Sequence, residues 1–158
     1  TYGSFRDHFS SSNISKLVNA FYCLDKKSKA KFQRIVNAYL TIGELNVFEP
    51  MFRDAYFALE AVSKLILGEN NEGTEARIIK ACERLKIDIE NYLFEPSAKS
   101  KKLEWQISEY RNELTHYNFD PDVSEADLSD EFDKMMKLLR MILIGYLDAG
   151  LMNFPAPN

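Results

Sequence analysis

"PMFRDAYFALEAVSKLILG", residues 50–68, decides the fold. Phe52, Tyr56, Leu59, Val62 and Ile66 recur at steps of three and four, the period of one helix face rather than the alternation of a strand. Pro50 suits a first turn, where its missing N–H has no partner to lose, and Gly68 is a stop signal. A helix over this stretch is apolar on nearly all sides, which places it inside a core. Glu60 is the anomaly within it. A carboxylate there either occupies the helix's one polar strip or needs a cation beside it.

The same period runs outward in both directions. Upstream, Ile14, Leu17, Val18 and Phe21 follow Asn13, a candidate N-cap, and Phe32, Ile35, Tyr39 and Ile42 form a second seam that stops near Gly43. Downstream, "GENNEG" at 68–73 is the clearest loop, after which Thr74 and Glu75 restart a helix carrying Ile78, Cys82, Leu85, Ile89 and Tyr92. "EPSAKSKK" is the next break. Beyond it lie Leu103, Ile107, Tyr110, Leu114 and Tyr117, closed by "NFDPDVSEAD". Ser124 with Asp127 resembles a capping box and opens a last seam of Leu128, Phe132, Met135, Leu139, Ile142 and Tyr146. No internal repeat is evident. Seams of this spacing joined by short loops predict an all-α fold, an up-and-down antiparallel bundle of roughly five to six helices. The bundle is expected over 13–152, with 1–12 as a disordered or linker segment and 153–158 as a tail.

Bulk properties set limits on function. At 158 residues and 46% hydrophobic content, the chain can bury about two-thirds of its unfolded surface without staples. Cys23 and Cys82 lack the number and spacing of a disulfide framework or zinc site and are expected as reduced core residues of a cytoplasmic protein. No apolar run approaches the ~18 residues that cross a bilayer, so no membrane partner is expected. The opening at Thr1 without methionine is what a piece of a longer polypeptide would show. A net charge of −4 argues against a broad basic face for duplex nucleic acid. The sequence contains no glycine-rich phosphate loop, no GxSxG and no histidine pair at metal spacing, so neither cofactor nor metal is expected. The run "DKKSKAKFQR" at 25–34 reads as a solvated face, and His8 as incidental.

One stretch carries chemistry. "EYRNELTHYNFD", residues 109–120, holds one of the two histidines. At about 100° per residue, Asn112 and His116 fall opposite the Leu103–Tyr117 seam, with Arg111 on its flank. Trp105 shares the outward face, and an exposed tryptophan in a polar stripe points to a covering partner. His116 stands near a helix C-terminus, where the dipole favours the imidazolium. Arg111 is the cation that Glu60 would find if it is not simply solvated.

These residues resemble the HEPN superfamily, whose signature is an Arg, a polar residue that is often Asn, and a His four to six positions after the Arg. Here that is Arg111, Asn112 and His116 in "YRNELTHY", and "ALEAV" in an earlier helix is similar to the Apea-like branch, where an acidic residue at the place of Glu60 is common. The resemblance implies a metal-independent endoribonuclease of a defence or toxin–antitoxin system, with its site formed where two copies of the motif meet across a homodimer. It equally admits the members that have lost catalysis and serve as dimerisation, nucleotide-binding or partner-binding modules. Other domains of a longer chain, or an antitoxin, are the further partners it implies.

The residue types suit that chemistry. RNA is cut without metal when its 2′-OH, relieved of a proton, attacks the adjacent phosphate. His116 is the expected base or acid, Arg111 the expected clamp on the phosphate charge, and Asn112 the expected orienter of the imidazole. Tyr117 joins Glu60 as a supporting residue. Lys99, Lys101 and Lys102 ahead of Trp105 are the candidate RNA-binding set, cations for the backbone and a ring for an unpaired base. Against this, residues 120–133 carry seven acids and no base.

Overall fold

The computed structural model describes residues 11–45, 47–69, 71–88 and 125–150. There the chain forms α1 (Ser11–Cys23), α2 (Lys26–Ile42), α3 (Phe48–Leu67), α4 (Thr74–Arg84) and α5 (Glu125–Gly150), with no strand among the described residues. The all-α bundle predicted by the hydrophobic period is the fold. No helix of the described residues is long and apolar enough to cross a membrane. The expected helix through Leu103 and Tyr117, the lead 1–10 and the tail 153–158 lie outside the described residues.

Local chemistry sets the helix ends. Asp25 caps α2, its Oδ1 accepting the N–H groups of Lys27 at 2.9 Å and Ser28 at 3.0 Å, an arrangement worth about 1 kcal/mol. α3 begins at Phe48, so Pro50 sits at the third helical position, where a backbone donor is still unneeded. It ends at Gly68, whose φ of 78° takes it into the region glycine tolerates without strain, its N–H on the Lys64 carbonyl at 2.9 Å. α1 begins two residues before Asn13, which therefore lies in the first turn and is not its cap. "SSSN" at 10–13 offers a favoured cap type at every position, so the sequence could not choose among them.

α4 ends earlier than its apolar spacing suggested. Lys86 takes a φ of 56°, its N–H bonding the Glu83 carbonyl at 3.1 Å while Ile87 N–H bonds that of Cys82 at 2.9 Å. This pair of bonds is the Schellman terminator. Ile87, at 6% exposure, keeps the apolar contact without continuing the helix, and the expected extension through Ile89 and Tyr92 passes beyond the described residues.

α3 is the hub, packing against α2, α4 and α5, while α1 lies on α5. Its seam of Phe52, Tyr56, Leu59, Val62 and Ile66 is buried throughout, and it meets Ile35 and Ile42 of α2, Ile78 and Cys82 of α4, and Met135, Leu139 and Ile142 of α5 in one core. Truncating such a side chain to alanine costs about 2–5 kcal/mol. The start of α2, at Lys27 and Lys31, faces the end of α3, at Leu65 and Gly68, so these two run antiparallel. α2 is also antiparallel to α5: Phe32 stacks on Tyr146 at 5.4 Å, and Tyr39 Oη takes the Arg140 Nε–H at 2.6 Å. Phe48 meets Phe132 edge-on at 5.8 Å, setting the starts of α3 and α5 side by side.

α1 corrects two expectations. Cys23 is exposed, and Cys82 alone is buried. Of the first seam, Ile14 and Val18 are 45% and 46% exposed, whereas Ala20 is 2% exposed. α1 lies at the periphery, and the small side chain lets its backbone come close to the bundle, leaving the longer apolar groups on the rim.

Candidate functional site

Arg111, Asn112, His116, Tyr117, Lys99, Lys101, Lys102 and Trp105 lie outside the described residues. Glu60 is the one candidate whose surroundings the structure describes. It sits on the buried helix α3, half-buried, and its Oε1 lies 2.8 Å from Lys64 Nζ, one turn on, and 3.6 Å from Nη1 of Arg77 on α4. The cation that a carboxylate in this apolar helix needs is thus supplied from α3 and α4 themselves. The suggested mate, Arg111, belongs to the undescribed segment.

Sequence reasoning missed Arg77. Its side chain is only 7% exposed, and its Nη2 also donates to the Glu72 carbonyl at 2.8 Å. A guanidinium can do both because its fork of donors serves two acceptors at once. The signal was available: Arg77 directly precedes Ile78 on the apolar face of a short helix, where an arginine must find an acceptor. Around it, Lys80 pairs with Glu72, and Arg84 Nη1 donates to the Ile66 carbonyl at 3.0 Å, near the end of α3. These contacts fix α4 to the loop and to α3 by charge as well as by packing.

Two other titratable groups are informative. Burial pushes the Cys82 thiol up to about 12, with Glu83 adding to the rise, so it is an inert core residue. Burial also raises the Tyr146 phenol. Among the described residues, no three His, Cys, Asp or Glu side chains are placed to hold a metal ion.

No family model, curated protein or solved structure matches this chain.

Proposed function

We propose that this chain is a metal-independent endoribonuclease of the HEPN type, a cytoplasmic effector domain of a defence or toxin–antitoxin system that acts as a homodimer. The observation that carries the reading is the Arg111, Asn112 and His116 set in "YRNELTHY", within a chain whose described part is an all-helical bundle. Glu60 supports it. Glu60 already has Lys64 and Arg77 beside it, and in this reading Arg111 serves a phosphate.

In this reading the 2′-OH of RNA loses its proton to His116 of one copy, and its oxygen bonds to the adjacent phosphorus. The bond to the 5′-oxygen breaks, and that oxygen takes a proton from the second copy's His116, giving a 2′,3′-cyclic phosphate and a free 5′-OH. Arg111 holds the phosphate oxygens as their charge grows. One imidazole per motif cannot be base and acid in the same turnover, which is the reason for a two-fold site.

A specific observation favours a second reading, a non-catalytic dimerisation or binding module of the same type: seven acids occupy 120–133, directly after the motif. Total RNA incubated with the purified chain in chelator separates the two. Cutting by the parent and none by His116→Ala supports the nuclease. Equal cutting by His116→Ala, or cutting that requires added metal, overturns it, and a dimer that never cuts is the binding module.

A further inference from the structure

We infer that the groove between α2 and α3 is a track for single-stranded RNA, with Lys27, Lys31 and Arg34 on the phosphates and Phe57 stacking an unpaired base; the choice of RNA rests on the nuclease reading above. Residues 25–34 hold five cations against the one carboxylate of Asp25, on a chain of net charge −4. Lys27, Lys31 and Arg34 recur at four and three residues, one face of α2 spanning about 10 Å at 1.5 Å per residue. That face lines a hollow of about 600 Å³ whose far wall is the end of α3, including Lys64. Lys64 is paired with Glu60. The other three cations make no ion pair among the described residues. Lys29, between them in sequence, is turned elsewhere: its Nζ donates to the Tyr22 carbonyl at 3.1 Å and lies over the Phe21 and Tyr22 rings.

The hollow continues along the same two helices into a second one of about 320 Å³, the two sharing Arg34, Ile35 and Ala61. Phe57 borders this second part and is 46% exposed on a helix whose Phe52 and Tyr56 are buried. Its groove carboxylates are few: Glu69 lies at the cationic end, and Asp54 at the Phe57 end is met by Arg53 at 3.5 Å. A row of cations leading to an exposed ring is the arrangement that binds unpaired strands, because phosphate charge gives affinity and any base has a face to stack. A duplex hides those faces. A membrane is flat, whereas these cations lie along a channel between two helices.

The test measures binding with a fluorescent 2′-O-methyl RNA 12-mer, which lacks the attacking hydroxyl and so cannot be cut by the proposed route. Three phosphate contacts predict a log–log salt slope of about −2, or roughly twenty-fold weaker binding between 50 and 200 mM salt. Lys27→Gln, Lys31→Gln and Arg34→Gln together should flatten that slope at unchanged helicity, and Phe57→Ala should weaken binding about five-fold or more. Equal affinity for parent and triple variant overturns the track. So does binding to vesicles of phosphatidylserine with none to the oligonucleotide. A parent that binds through these residues yet cuts no RNA keeps the track and loses the nuclease; one that cuts RNA while the triple variant binds unchanged does the reverse.

Discussion

Replacing Glu60 with alanine should destabilise the chain more than replacing Arg77 with methionine, although each removes the same ion pair. At 3.6 Å two unit charges attract by about 5 kcal/mol at an effective dielectric of ~20, and desolvation of the guanidinium offsets most of it. The two ends are unequally buried: Glu60 is 23% exposed and keeps Lys64 at 2.8 Å, while Arg77 is 7% exposed. Glu60→Ala takes the carboxylate from a buried cation, a loss of about 2–3 kcal/mol, between the values for exposed and fully buried pairs. Arg77→Met keeps the aliphatic packing and leaves Glu60 with Lys64, and the lost bond to the Glu72 carbonyl contributes about 1 kcal/mol to its cost. Urea denaturation followed by far-ultraviolet circular dichroism reads both, and the double variant should cost less than the two singles added by at least ~0.5 kcal/mol. Arg111→Ala belongs in the same series and should stay within ~0.5 kcal/mol of the parent. If Arg77→Met is the costlier change, or the coupling is zero, the account of Glu60 fails. If Arg111→Ala costs as much as Glu60→Ala, Arg111 is Glu60's structural partner and its assignment to phosphate is lost.

Lys86→Gly should raise the unfolding free energy read by urea denaturation by about 0.5–1 kcal/mol, since it removes the cost of a left-handed φ at a side-chain-bearing residue; a lower midpoint at unchanged slope refutes this. A thiol reagent should modify Cys23 at once and Cys82 only on unfolding. Because the native state keeps the Cys82 proton that the unfolded chain gives up near 9, stability should fall as pH rises from there toward about 12, and Cys82→Ala should remove that part of the slope. Trp105→Glu should give monomers without nuclease activity; light scattering that shows a fully active monomer of the parent at tens of micromolar would refute the two-fold site.

The hydrophobic period made the core legible because the Phe52–Ile66 seam of α3 is buried along its length, so each of its three-and-four steps lands on a contact. It misled where burial is partial. Ile14 and Val18 keep the helical rhythm yet lie on the rim of α1, since a pattern states which residues share a face and not how deeply that face is covered. It overran at α4 because Ile87 stays buried after the helix has stopped, and a lysine at the left-handed position carries no glycine signal. The site was legible only as types and spacing. The proposed motif "YRNELTHY" lies outside the described residues, and the partners of Glu60 come from one turn along α3 and from a helix across a loop. The 4–3 spacing of Lys27, Lys31 and Arg34 was visible as well, but the hollow that Arg34 shares with Phe57 is a product of the α2–α3 packing.

The placement of charge bears on the strongest objection to an RNA partner, the acids after His116. Glu125, Asp127, Asp130, Glu131 and Asp133 fall in the first turns of α5, and α5 is antiparallel to α2, with Tyr146 against Phe32. The acidic start of α5 therefore lies beside the start of α3, where Phe132 meets Phe48, while the cations of α2 are at the other end of the same pair. From Asp133 to Tyr146, the residue beside Phe32, α5 rises about 20 Å at 1.5 Å per residue, so the two fields are about two Debye lengths apart at physiological salt. On the RNA-track proposal a polyanion is repelled at one end and attracted at the other, so the distribution of charge, more than the net −4, would set its direction of approach.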